Sequence, residues 1–201
     1  MARPREFNEN DALAAARDQF WRDGYAGTSL DDLTRATGMG RGSLYATFED
    51  KHTLFVRALE SYCQGALARV ITELRGDGVA SALDGLVNHI RNDSRRGVAD
   101  TRRRGCFMAK SAAEKAPQDT DVAKLVKKTF DAYRREVTAA IITAQRDGDL
   151  AETADPDALA ALILATLRGL EAMRKLGAAP ATLSAAADQL VAVLPITTRA
   201  A

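Results

Sequence analysis

The chain has 201 residues, a net charge of +1, 46% hydrophobic but only 5% aromatic residues, two cysteines and five prolines. That length suits one or two domains able to bury a real core. No apolar run approaches the ~20 residues of a bilayer span, no signal-peptide pattern opens the sequence, and the cysteines lack framework spacing, so a soluble cytoplasmic protein is expected.

No proline falls between Arg5 and Ala116, which favours long helices, and apolar spacing predicts about nine. A first helix is expected from Asn8 to Asp23, with Leu13, Ala16 and Phe20 at helical spacing and Gly24 ending it. Thr28 and Ser29 are N-cap types, each with an aspartate three residues on (Asp31, Asp32), the acidic form of a capping box. Leu30 and Leu33 continue that second helix until Gly38 stops it. A third runs from Arg41 to Phe48, with Leu44 and Phe48 on its buried face and Arg41, Ser43, Tyr45 and Thr47 opposite. Two short helices around a Gly-containing turn let the second enter a DNA major groove.

A fourth helix is predicted from Lys51 toward Leu74, ending at Gly76-Asp77-Gly78, and a fifth from Val79 to Ser94. A basic loop from Arg95 to Arg104 follows, then a sixth helix from Gly105 to Ala116, closed by Pro117. The seventh opens after Asp119 and runs to Gly148. Asp155-Pro156 pairs an N-cap with proline at the first helical position and starts the eighth, and the ninth follows Pro180. The eighth is apolar on more than one face (Leu159, Leu162, Ile163, Leu164, Leu167, Leu170), so it should be buried on two sides. A second copy of the chain is the expected partner, with Leu167 and Leu190 at the dimer interface.

Phe20, Gly24, Tyr25, Thr28, Ser29, Leu33, Gly38, Gly42, Ser43, Leu44, Tyr45, Phe48, Lys51, Leu54 and Phe55 together resemble the DNA-binding domain of the TetR family of bacterial regulators. The resemblance implies an all-α fold, with a helix-turn-helix DNA-binding domain over residues 6–66 and a helical effector-binding and dimerisation domain over 67–201. It also implies that the last two helices pair into a four-helix bundle across a two-fold axis. The family pattern usually has Ser or Thr where Gly40 stands, and bulkier aromatic or His residues near Ala46 and Thr47.

The residues expected to meet double-stranded DNA are Thr28, Ser29, Arg41, Gly42, Ser43, Tyr45, Ala46, Thr47 and Lys51. Arg41 can bond a guanine edge bidentately, and Ala46 and Thr47 can touch a thymine methyl. Tyr45 and Lys51 suit phosphate, which positions the protein without reading sequence. Arg3 and Arg5 form a candidate minor-groove arm. Residues 1–60 carry eight Lys/Arg against ten Asp/Glu, a net of −2, so any basic footprint must come from placement; acids such as Asp11, Asp18 and Asp23 are expected to face away.

Cys106 follows Arg102, Arg103, Arg104 and Gly105 and should lie in the first turn of the sixth helix, where nearby cations and the helix terminus favour thiolate. It is a candidate redox or electrophile sensor, with Lys110 one turn on and Lys175 more distant; the bland alternative is a small buried residue. His52, after Lys51, is expected to be exposed or near phosphate, and His89 an ordinary core or surface residue. No metal-ligand spacing, phosphate loop or catalytic constellation is visible, so neither cofactor nor enzymatic activity is expected. The reading is a homodimeric DNA-binding regulator with a small-molecule effector. Its rivals are an architectural DNA-binding protein without effector and a helical enzyme that retains a helix-turn-helix.

Overall fold

The computed structural model describes residues 8–99 and 104–197, except for the side chains of 97–99. Among the described residues the fold is all-α, with nine helices: α1 (Glu9–Asp23), α2 (Leu30–Thr37), α3 (Arg41–Phe48), α4 (Lys51–Arg75), α5 (Ala82–Ala99), α6 (Phe107–Lys115), α7 (Thr120–Arg146), α8 (Pro156–Lys175) and α9 (Pro180–Ala192). The one β feature among them is an isolated bridge between Leu150 and Ile196. No described helix is long and apolar enough to cross a membrane.

Local chemistry explains most boundaries. Asn8 caps α1, and Gly24, at φ 81°, turns out of the helical conformation and ends it. Asp155 caps α8 by accepting from the Asp157 and Ala158 amides, with Pro156 at the first helical position. Two boundaries depart from expectation. Helix α5 starts at Ala82 because Ser81 Oγ accepts the Asp84 amide at 3.1 Å. It continues through the expected loop to Ala99, where Arg96 pairs with Asp93 one turn back and with Glu73 of α4. Gly105 is not helical: at φ 71° it turns the chain, and Cys106 becomes the cap of α6 rather than part of its first turn.

The chain packs as two compact units. The first takes residues up to Gly65 together with Cys106–Lys127, and the second takes Ala66–Gly105 and the chain from Lys128 onward. Helices α4 and α7 therefore each supply residues to both. The first unit is centred on an aromatic cluster: Phe55 meets Phe20 edge-on at 5.1 Å, Tyr25 at 5.0 Å and Phe107 at 5.8 Å. Thus α6 packs into the same core as the three-helix head. The core of the second unit includes Leu86 and Ile90 of α5, Val137 and Ile141 of α7, Ile163 and Leu167 of α8, and Leu183 and Leu190 of α9.

Candidate nucleic-acid interface

Helix α2 opens with a full capping box. The Asp32 amide donates to Ser29 Oγ at 3.1 Å, and the Ser29 amide donates to Asp32 Oδ2 at 2.9 Å. The Ser29 hydroxyl, which donates to Asp32 Oδ2 at 2.6 Å, and then the Ser29 amide hold the Asp32 carboxyl below its usual range. Thr28 plays a different part from the one expected. Its hydroxyl donates to Gly24 O at 2.6 Å and the residue is buried, so its side chain is not on a DNA-facing surface. Gly38 ends α2 in the left-handed region, and Gly40 starts α3 with no side-chain cap, as the missing hydroxyl implies.

Leu44 and Phe48 anchor α3 to the core, which exposes Arg41, Gly42, Ser43, Tyr45 and Ala46. Thr47 is half-buried, and its hydroxyl donates to Ser43 O within α3 at 2.9 Å. The charge on this face is partly neutralised within the head. Arg41 donates to Asp31 Oδ1 at 2.7 Å, both side chains being exposed, and this bond and the Asp31 charge raise the guanidinium pKa. Arg35 pairs with Asp32. On α1, Asp18 pairs with Arg17 and Asp23 with Arg22.

Lys51, at the start of α4, is half-buried with Nζ 4.3 Å from the Tyr25 ring centroid. Lys115 Nζ lies 4.5 Å from the same centroid. Burial lowers the Lys51 pKa, with Glu114 opposing and Lys115 assisting. Asp50 caps α4 by accepting the Thr53 amide at 2.7 Å. Between α3 and α4, Glu49 is the one non-glycine at positive φ (65°) among the described residues, and it sharpens that turn.

Several residues around the head carried no prediction or a different one. Lys110 donates to Trp21 O at 3.2 Å and Arg22 O at 2.8 Å. Glu114 accepts the Tyr25 and Ala26 amides at 3.1 and 2.7 Å. His52 faces Asp119, its Nε2 2.8 Å from Asp119 Oδ2. A signal for Lys110 and Glu114 existed: they sit three and seven residues after Phe107, on the face that buries Phe107 and Ser111. His52, Asp119 and Asp121 bring three ligand-type atoms within 4.8 Å of one another. Asp119, however, already accepts the Asp121 and Val122 amides at 3.2 Å each and lies 3.5 Å from Lys115. A positive helix start with an ammonium beside it opposes a cation there.

Cys106 Sγ accepts the Ala109 amide at 3.4 Å, and the residue is 9% exposed. A Cβ on Gly105 would stand 2.9 Å from Lys175 Cε. Arg102 and Arg103, like the candidate arm of Arg3 and Arg5, lie outside the described residues.

In the second unit, Leu167 (0% exposed) and Leu190 (5%) point into the unit's own core, so neither side chain is free for a partner. The exposed face of α8 is instead Ala161, Leu162, Ala165, Gly169, Ala172 and Met173, and that of α9 includes Ala181, Ala185, Gln189 and Ala192, followed by the exposed C-cap Val193. Because α8 has two apolar faces, its sequence does not distinguish the inward face from the outward one. His89 is fully buried, with Nδ1 2.7 Å from Glu73 and Nε2 2.5 Å from the Tyr133 hydroxyl. Burial raises the Tyr133 pKa, as does the nearby Asp93. Ion pairs continue from Glu73 through Arg96, Asp93 and Arg168 to Glu171.

A capped α2, a glycine turn and an exposed α3 define a helix-turn-helix DNA-binding protein, here carried with a second helical unit. Residues 12–58 match the family described as bacterial regulatory proteins, tetR family, and residues 81–190 match the tetracyclin repressor-like C-terminal domain. The HTH-type transcriptional regulator YezE of Bacillus subtilis is 32% identical over 166 residues, 80% of this chain and 82% of that one. The HTH-type transcriptional repressor ComR of Escherichia coli is 29% identical over 178 residues, 88% of this chain and 83% of that one. A cysteine mutant of the TetR family regulator CifR, solved with 26-bp operator DNA, superposes with a TM-score of 0.84 at 30% identity, covering 96% of this chain and all of that one. The chain belongs to the TetR family of DNA-binding transcriptional regulators.

Proposed function

We propose that the protein is a homodimeric repressor that binds an inverted-repeat operator and is released by an effector acting on residues 67–201. The observation that carries this is the exposed face of α3, where Arg41, Ser43, Tyr45 and Ala46 stand clear of the core on a helix held by Leu44 and Phe48. Arg41 and Ala46 read base edges; Tyr45 and Lys51 hold phosphate; Ser29, Gly42 and Ser43 line the approach. ComR is a repressor and CifR was solved on operator DNA, which supports the same role here.

Dimerisation uses the outward faces of α8 and α9. The α8 face is uncharged from Ala161 to Met173, and its small residues allow close approach of a second helix pair. Two copies give two reading heads, and the operator fixes their spacing. Because α4 supplies residues to both units, a shift of its C-terminal half reaches the head.

The effector is a small molecule or a reactive electrophile or oxidant. Cys106 supports the second class: its sulfur accepts the Ala109 amide at the N-cap of α6, and a substituent there disturbs the start of that helix. Selection of bound DNA fragments, followed by footprinting and a release screen, tests the whole reading. A protected inverted repeat is expected, and binding without sequence preference overturns it.

A further inference from the structure

Helix α1 stops at Asp23, although the chain beyond it has the donors and acceptors for another turn. Continued α-helix would place the Tyr25 amide on Trp21 O and the Ala26 amide on Arg22 O. Helix α6 takes both bonds. Lys110 Nζ donates to Trp21 O (3.2 Å) and Arg22 O (2.8 Å), and Glu114, one turn on, accepts the Tyr25 amide (3.1 Å) and the Ala26 amide (2.7 Å). Each charge also suits its partner: an ammonium meets the negative end of α1, and a carboxylate meets free amides. Gly24 lies between them at φ 81°, where a Cβ would stand 2.7 Å from Glu114 Oε2, so the close approach depends on glycine. Thr28 then ties the turn back to Gly24 O.

We propose that Lys110 and Glu114 are positioning residues for operator recognition. Together they replace the next two hydrogen bonds of α1 and thereby set the path of the chain into α2 and α3. The inference rests on the operator-binding reading and adds to it how α6 bears on the head. When α6 holds the turn, α1 ends at Asp23 and the recognition helix is aimed. When the grip is lost, residues 21–26 can make their own helical bonds, Gly24 permits that conformation, and α2 leaves the path that aims α3. Both side chains are engaged by the end of α1, so affinity should change without loss of a phosphate contact.

The experiment measures operator binding, binding to scrambled DNA, and amide hydrogen exchange at Tyr25 and Ala26 in the full chain. Glu114→Ala and Lys110→Ala should each weaken operator binding at least about ten-fold. The salt slope should match wild type, because no counterion-releasing contact is removed. Lys110→Arg, still a cation with several donors, should restore most of the affinity. The double variant should lose little more than either single one, since the pair acts as a unit. Exchange at Tyr25 and Ala26 should differ from wild type in both alanine variants.

Operator affinity and exchange both unchanged in the alanine variants overturn the inference, as does a salt slope that falls by about one unit in Lys110→Ala, which marks a direct phosphate contact. Should Glu114→Ala fail to fold, Glu114→Gln carries the same test, since it keeps a single neutral acceptor oxygen. A wild-type protein with no preferred DNA sequence overturns the operator reading instead, while the exchange arm still judges the grip of α6 on α1.

Discussion

Arg41, at the first position of α3, donates to the carboxylate of Asp31 on α2 at 2.7 Å, so the side chain best suited to read guanine is held by an acid of its own head. Both groups are exposed, and such a pair contributes little to stability, so operator DNA can displace Asp31 at small cost. Asp31→Asn should therefore tighten binding to all sequences, while Arg41→Ala should relax preference at one base pair by about 1–3 kcal/mol. Tyr45→Phe and Lys51→Ala should weaken matched and scrambled sites about equally, the Lys51 change lowering the salt slope by about one. Isotherms on both DNAs at several salt concentrations check this; an Arg41 variant that loses both affinities equally counts against direct readout.

Substitutions on the two faces of α8 should separate. Leu167→Ala empties a site at 0% exposure and should cost about 2–5 kcal/mol of stability with the dimer retained at low temperature. Ala165→Glu places a charge on the outward face and should give folded monomers that bind the operator weakly. Sedimentation and thermal unfolding distinguish the two, and an intact Ala165→Glu dimer would place the interface elsewhere.

Asp119 supplies an acid-range dependence. Burial opposes its ionisation, but the Val122 amide, His52 and Lys115 prevail and its carboxyl titrates below the usual 3.8. A depressed folded pKa stabilises the protein above the unfolded value, and that contribution disappears as pH falls through the folded one. Asp119→Asn should be less stable than wild type at neutral pH, and the deficit should close on acidification below about 3.8. Denaturant midpoints across pH 2–7 provide the measurement; a deficit independent of pH would mean that shape rather than charge matters.

Cys106 should react with a maleimide at neutral pH faster than Cys63, which is 3% exposed and mid-helix, because only Cys106 accepts a helix-start amide at its sulfur. Mild hypochlorite or a quinone should release wild-type protein from its operator and leave Cys106→Ser bound. Equal release of both proteins, or of neither, makes Cys106 a packing residue and points to a noncovalent effector.

What local sequence carries, it carried well. The bounds of α3 at Arg41 and Phe48 and the starts of α7 and α8 follow from caps, glycines and apolar spacing, which act over a few residues and need no partner. Spacing shows which helix face a residue shares but not which distant segment it meets. Lys110 and Trp21 are 89 residues apart and His52 and Asp119 are 67 apart, so no periodicity announces either bond. Helix α8 is apolar on more than one face, and only folding decided that Leu167 faces its own core while Leu162 faces out. Thr28 and Ser29 are equally good caps on paper; the turn at Gly24 buried the first and left the second to cap α2. A side chain's type and its near neighbours set local conformation, but its surroundings, and so its role, are set by the packing of remote helices.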